Sequence, residues 1–174
     1  MVQLNNTGTS YGLVSMAFHW VTVLIVATQF AYGFTFVVLE DRRVGIFDSL
    51  VESLGILLIP ITIARIAWII HSGKPALPPT VTAFQSKIAR LVQLLIYGMI
   101  LICASTGFMV RDQDMFFYSV PIPDVLNFTD SPLVNGVHDT AVYVLLFLLA
   151  THVGAAVLHL YLRDGVVKMM ASLR

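Results

Sequence analysis

VHDTAVYVLLFLLATHVGAAVLHLYL, residues Val137 to Leu162, decides the fold. The stretch exceeds the roughly 20 predominantly apolar residues that carry a helix across a bilayer. It nevertheless holds three histidines, His138, His152 and His159. Ionisable side chains within a span are costly and mark a functional face by default. Fourteen residues separate His138 from His152, which leaves a net rotation of about 40° and an axial rise of about 21 Å in an α-helix. Both imidazoles therefore project into one groove at two depths. His159, seven residues beyond His152, returns to that face near the helix end.

Three further apolar stretches of spanning length lie near residues 13–38, 46–70 and 88–110, with the fourth near 137–162. The chain is 57% hydrophobic and 11% charged, where an ordinary soluble domain is about a quarter charged. These observations predict an all-α integral membrane four-helix bundle, with residues 1–174 forming one domain and too little sequence left over for a soluble one. Its expected surroundings are the lipid bilayer, not nucleic acid. Met1 to Ser10 carry no Lys or Arg, and no short apolar core with a small-residue cleavage site follows, so a cleaved signal peptide is not expected. Cys103, the single cysteine, excludes an intramolecular disulfide, a covalent c-type haem and a four-cysteine cluster.

Assigning successive segments to alternate sides of the membrane separates the charges. One side gathers Lys74, Lys87, Arg90, Arg163, Lys168 and Arg174, with Arg65 close by. The other gathers Arg42, Arg43 and Arg111 with nine of the ten acidic residues: Glu40, Asp41, Asp48, Glu52, Asp112, Asp114, Asp124, Asp130 and Asp139. Basic loops mark the cytoplasmic side, so both termini are expected in the cytoplasm. An acidic outer face repels small anions and favours cationic partners. Pro75, Pro78 and Pro79 favour an extended inner loop between His71 and Lys87. In the outer loop, Asp112 to Gly136, an apolar start at Met115 to Tyr118 followed by Pro121, Pro123 and Pro132 suggests a segment lying in the interface. Pro60 is expected to kink the second helix or free a carbonyl there.

Four of the five histidines fall within spans: His19 on the first, and His138, His152 and His159 on the fourth. His71 ends the second span at the inner surface, where solvent or headgroups are its expected company. Imidazole commonly holds the iron of haem b, and two haems about 21 Å apart would form an electron path across the membrane. A low-spin haem needs a second axial ligand from another helix. His19 lies in the inner half of a helix running outward and His152 in the inner half of one running inward, so the two can meet. Arg65, Lys87 and Arg90 cluster at inner helix ends, suited to haem propionates, a quinone headgroup or lipid phosphates. Trp20 and Trp68 suit an interfacial aromatic belt. Gly55, Gly98 and Gly107 permit close approach of a helix or a flat macrocycle.

Phe18-His19-Trp20 in the first span, Gly55-Ile56-Leu57 with Arg65 in the second, the proline-rich inner loop, Leu95-Ile96-Tyr97 in the third and His138 with His152 in the fourth carry a resemblance. From about Tyr11 to Met170 the chain resembles the small bacterial cytochrome b-561 family, four-helix di-haem membrane cytochromes that include superoxide oxidase. The resemblance implies a multi-pass protein of the bacterial inner membrane, with one haem b near each face held by two histidine pairs and electrons exchanged with quinone. Matched residue by residue, His19 and His152 correspond to the pair at the cytoplasmic-side haem, and His138 to one ligand of the outer haem. The fourth position, four residues before Gly55, holds Val51, which cannot coordinate iron.

Three outcomes are then open at the outer site: loss of that haem, five-coordination on His138, or approach of a group such as Asp48. Loss or weakened binding is the expectation. The expected function is membrane electron transfer to or from quinone or a partner redox subunit, in its enzymatic form a quinone-linked oxidoreductase. Superoxide oxidation is not expected beside so acidic an outer face. The alternative is a structural or assembly subunit of a larger respiratory or photosynthetic membrane complex.

Overall fold

The computed structural model describes residues 3–38, 45–110, 116–117, 120–121, 128 and 131–171, with side chains for 3–35, 49–110, 128 and 131–170. Four long helices, α1 (Leu13–Val38), α2 (Gly45–Ser72), α3 (Ala83–Met109) and α4 (Pro132–Leu162), are each long and apolar enough to cross a membrane. A two-residue ladder, β1 (Phe116–Phe117) against β2 (Val120–Pro121), sits between α3 and α4, and a short α5 (Lys168–Ala171) follows α4. Most of the outer loop anticipated as an interfacial segment, the charged residues Glu40 to Arg43 and Arg111 to Asp114, and the Asp48 side chain lie outside the described residues.

The helices begin where their caps dictate. Thr82 starts α3: its hydroxyl accepts the Gln85 N–H at 3.2 Å, and Gln85 Oε1 accepts the Thr82 N–H at 2.8 Å. This reciprocal capping box satisfies two N–H groups that the first turn would otherwise leave bare. Ser131 caps α4, with Pro132 in its first turn, where a missing N–H is harmless. Both helices thus start five residues before the sequence expectation, which followed apolar content and missed the caps. Pro60 lies inside an α2 that continues past it to Ser72. The inner connection is therefore short, from Gly73, at φ 73°, to Thr82.

Register along α1 and α2 is antiparallel and fixed by polar contacts. Asn6 meets Ser72, Ser15 meets Trp68, His19 meets Arg65 and Gln29 meets Val51. Packing then runs in chain order, α1 on α2, α2 on α3 and α3 on α4, with no comparable seam between α1 and α4 among the described residues. The four helices share one apolar cluster midway along: Ile25 and Val26, Leu58, Ile96 and Ile100, Leu145 and Leu148. Most other large apolar side chains face outward, as lipid contact permits.

Buried polar residues concentrate on the α1–α2 pair: Ser15, Thr22, Ser53, Thr62 and Arg65. Thr22 and Ser53 return their hydroxyls to the carbonyls of Phe18 (2.6 Å) and Ser49 (2.7 Å) one turn back. Thr62, fully enclosed, has no hydrogen-bond partner for its hydroxyl.

At the end of the bundle that bears both termini, here the near end, residues before α1 fold back onto the α2–α3 connection. The Asn6 N–H is donated to Ser72 Oγ (2.9 Å) and its side-chain amide to the Gly73 carbonyl (2.6 Å). Asn6 Oδ1 accepts from Gly12 N (2.9 Å) and Ser15 Oγ (2.7 Å), and Gly8 O accepts from Ala76 N (2.9 Å).

Candidate functional site

Near the near end, His19 on α1 meets Arg65 on α2, with Arg65 Nη2 2.9 Å from His19 Nδ1. A guanidinium only donates, so Nδ1 is the acceptor and the imidazole proton resides on Nε2. Arg65 is 8% exposed and its Cζ lies 5.1 Å from the centroid of the Tyr97 ring, a cation–π distance. The sequence left lipid phosphates open as its partner, whereas here it turns inward. Gln93 Nε2 donates to Tyr97 Oη (2.9 Å), and Lys74 Nζ donates to Gln93 Oε1 (2.8 Å). A polar chain thus links α1, α2, α3 and the inner connection.

Among the described residues this cluster is electropositive. Lys74 has its pKa lowered, chiefly by burial and further by Arg90 and Arg65. The Tyr11 phenol at the entry to α1 is raised, mainly by burial and also by Tyr97, while Arg65 opposes. Among the described residues, no carboxylate pairs with Arg65, Lys74 or Arg90. A buried guanidinium with one hydrogen bond for five N–H groups is an unfinished arrangement.

His152 on α4 lies close enough to His19 and Arg65 for their charges to interact. The structure therefore joins His19 to Arg65 directly and places His152, on a third helix, within electrostatic range of both. The stripe of α4 that carries His152 is buried at Ala141, Leu145 and Leu148 and emerges uncovered at His152 and Ala155. Two imidazoles on separated helices, beside an unpaired cation, fit a flat macrocycle that brings its own equatorial nitrogens and carries carboxylates. Among the described residues no three His, Cys, Asp or Glu gather as a metal cluster.

Toward the far end, His138 stands apart from that group. Thr106 Oγ1 donates its single proton to the Ile102 carbonyl (2.7 Å) and lies 2.9 Å from His138 Nδ1. The His138 ring also hydrogen-bonds the Cys103 carbonyl, so two polar groups of α3 hold it. Gly107 completes the cradle, since a Cβ at that position would come within 3.2 Å of His138 Cε1. Val51, on α2, is buried, and its carbonyl accepts from Gln29 Nε2 at 2.7 Å. A Cβ on Gly55 would lie 3.3 Å from that same nitrogen. The imidazole half of this level suits iron, whereas Val51 offers it nothing.

The remaining histidines are placed differently. His159 Nδ1 lies 2.5 Å from Asp164 Oδ2, and the Val166 N–H reaches Asp164 Oδ1 at 3.1 Å. The His159 bond holds the Asp164 carboxyl below its usual range. The turn that presents Asp164 depends on Arg163 at φ 54° and Gly165 at φ 90°. His71 is exposed, 5.9 Å from the Trp68 ring. Trp68, expected in an interfacial belt, is half-buried and donates its indole N–H to Ser15 Oγ at 3.1 Å. Sequence reasoning missed Thr106, Gln29 and Asp164, because ordinary polar residues in or beside apolar spans carry no periodic signal.

Four helices long and apolar enough to cross a membrane, two of them bearing histidines within their length, define a multi-pass membrane protein. Residues 10–172 match the sequence profile of the prokaryotic cytochrome b561 family, and the chain belongs to that family. It is also similar to cytochrome b561 homolog 2 of Escherichia coli strain K12, with 30% identity over 115 residues. That match covers 65% of this chain and 61% of the relative's length. Family membership makes the chain a cytochrome of the b561 type, with four helices long and apolar enough to cross a membrane.

Proposed function

We propose that haem b is held near the near end by His19 and His152, and that electrons pass there to or from a quinone or a partner redox subunit. The observation that carries this reading is the contact of His19 with the buried Arg65, within electrostatic range of His152 on a third helix and with no carboxylate paired to Arg65 among the described residues. Arg65 and Lys74 are the residues that would receive the haem propionates, whose charge would balance theirs. Haem b supplies a one-electron couple there. The chain's own residues fix ligand, charge and access. With Arg65 on Nδ1 the His19 proton sits on Nε2, so His19 would hold iron through Nε2 only if Arg65 released Nδ1.

The topology proposed with this reading places the near end and both termini in the cytoplasm, with the protein spanning the bacterial inner membrane as one domain. A reporter fused after Arg174 is expected to be active only on the cytoplasmic side. The main test is a reduced-minus-oxidised spectrum of the purified protein, with quinol as reductant. A low-spin b-type spectrum that quinol produces supports the carrier. A low-spin haem that dithionite reduces and no quinol or partner protein does favours a second reading, a structural subunit of a larger membrane complex. Val51 is the observation behind that alternative, because it removes one of four imidazoles from an electron path across the membrane.

A further inference from the structure

The near end carries cations that the cofactor reading leaves over. Lys87 and Arg90 lie in the first two turns of α3, three residues apart and therefore on one edge of the helix. Both are exposed, and neither makes a hydrogen bond or ion pair among the described residues. Lys74 is brought toward the same edge from the inner connection. Its ammonium donates to Gln93 Oε1 at 2.8 Å, and Gln93 stands less than one turn from Arg90 on α3.

The amino-terminal segment fixes this placement by pinning the backbone on both sides of Lys74. The Gly73 carbonyl accepts from the Asn6 side-chain amide at 2.6 Å, and the Ala76 N–H is donated to the Gly8 carbonyl at 2.9 Å. Like charges gathered in this way repel and work against the compact state unless an anion joins them. The strain registers on Lys74, whose pKa is lowered by burial and then by Arg90 and Arg65. The described part of the chain offers no relief. Of its three carboxylates, Glu52 and Asp139 stand toward the far end, and Asp164 is engaged by His159 and the Val166 N–H.

The surface beside the cations says which anion fits. Leu91 and Leu94 follow Lys87 and Arg90 by four residues each, and so continue the same edge toward the middle of the bundle. They are 56% and 67% exposed, so the edge passes from charge at the bundle end to bare apolar surface along it. A phosphate that carries acyl chains matches both parts, as basic sites at the membrane-facing ends of helices match acidic headgroups. A soluble anion matches only the first.

We propose that the edge formed by Lys74, Lys87 and Arg90 binds the phosphate of an anionic phospholipid in the leaflet at the near end. Lys87 and Arg90 belong to this site alone, whereas Lys74 stands between it and the group that Arg65 serves. The bound lipid balances the charge that the amino-terminal segment holds in place.

The purified full-length protein in detergent is titrated with phosphatidylglycerol, with phosphatidylcholine and with inorganic phosphate. Bound lipid is counted by native mass spectrometry, and the haem spectrum is recorded on the same samples. One phosphatidylglycerol per chain is expected to persist where phosphatidylcholine is stripped, and inorganic phosphate is expected not to displace it. A Lys or Arg beside an anionic lipid is worth about a fivefold change in affinity. Arg90→Gln is therefore expected to weaken phosphatidylglycerol by about fivefold, and Lys87→Gln with Arg90→Gln by roughly tenfold or more, with the haem spectrum unchanged. Lys168→Gln removes an exposed cation elsewhere at the near end and is expected to leave binding as it is.

Equal retention of the two lipids, displacement by inorganic phosphate, or an equal loss with Lys168→Gln would each overturn the site, the last by showing general attraction to a charged end. A haem spectrum altered by Arg90→Gln would also overturn it, because Arg90 would then serve the cofactor. Absence of any low-spin haem in wild type counts against the His19–His152 assignment, and the lipid count decides this proposal whichever way that assignment falls.

Discussion

The two histidine levels on α4 lie on one stripe of one helix, yet their surroundings differ in kind. His152 emerges uncovered, beside a buried cation that occupies its partner His19. His138 is pinned by a hydroxyl, a carbonyl and a glycine of α3. In the proposed reading the near level would supply both ligands after Arg65 lets go of His19, whereas at the far level only the His138 imidazole, held by α3, is in place. Ligand count and ligand readiness are therefore separate properties, and a motif records only the first.

The sharpest way to break this contrast is to remove one imidazole at a time. His19→Ala and His152→Ala are each expected to abolish the low-spin haem signal, whereas His138→Ala leaves it intact. A low-spin signal that survives both near-level variants and disappears with His138→Ala would invert the assignment. His159 is no substitute for His152, since it sits two turns further along and is engaged by Asp164.

Arg65 tests the need for rearrangement. Arg65→Gln removes a charge-assisted hydrogen bond to a carboxylate, of about 1.5–3 kcal/mol, so haem retention is expected to fall by roughly tenfold or more. At the same time the His19 Nδ1 contact is weakened, so haem uptake by the stripped protein is expected to become faster. Weaker retention with slower uptake, read by stopped-flow haem titration, would contradict the latch between Arg65 and His19.

Thr106→Val addresses the readiness of His138. Loss of this contact costs about 0.5–1.5 kcal/mol of net hydrogen bonding and leaves the His138 ring to the Cys103 carbonyl. The low-spin spectrum should be unaffected, while any high-spin component broadens in paramagnetic resonance. A change confined to the low-spin haem would show that Thr106 serves the other level.

The smallest expected effect lies between the levels. Thr62 buries a hydroxyl without a partner, an arrangement that costs about 1–3 kcal/mol. Thr62→Val is expected to raise the melting temperature in detergent by a few degrees with unchanged spectra. A decrease would mean that the hydroxyl is satisfied in the folded protein.

The bundle was legible in the sequence because lipid imposes a length and a composition on each span, and because fourteen-residue spacing maps His138 and His152 to one face whatever surrounds them. Helix starts were not legible from hydropathy; Thr82 with Gln85, and Ser131 with Pro132, announce them in cap chemistry instead. That His19 and His152 lie at one level could be argued from matching depth, whereas the inward turn of Arg65 could not, since a long cationic side chain near a span end reaches phosphates as readily as a core. Gln29 was invisible for another reason. Its bond goes to a backbone carbonyl, which every residue has, so no side-chain pattern discloses it.

Gly12 has a consequence for the order in which the chain assembles. A side chain there would collide with the carbonyl oxygens of Leu4 and Asn5, so the bend that returns the first residues onto the bundle passes through a point only glycine can occupy. The bonds that hold this bend reach Ser72, Gly73 and Ala76, which leave the ribosome only after the second span. The amino-terminal segment is thus synthesised first and secured late, when it ties the opening hairpin together before the third helix exists. A bulky residue at position 12 would leave that hairpin untied during membrane insertion, a fault visible as slowed protease protection in a chain whose cofactor ligands are all intact.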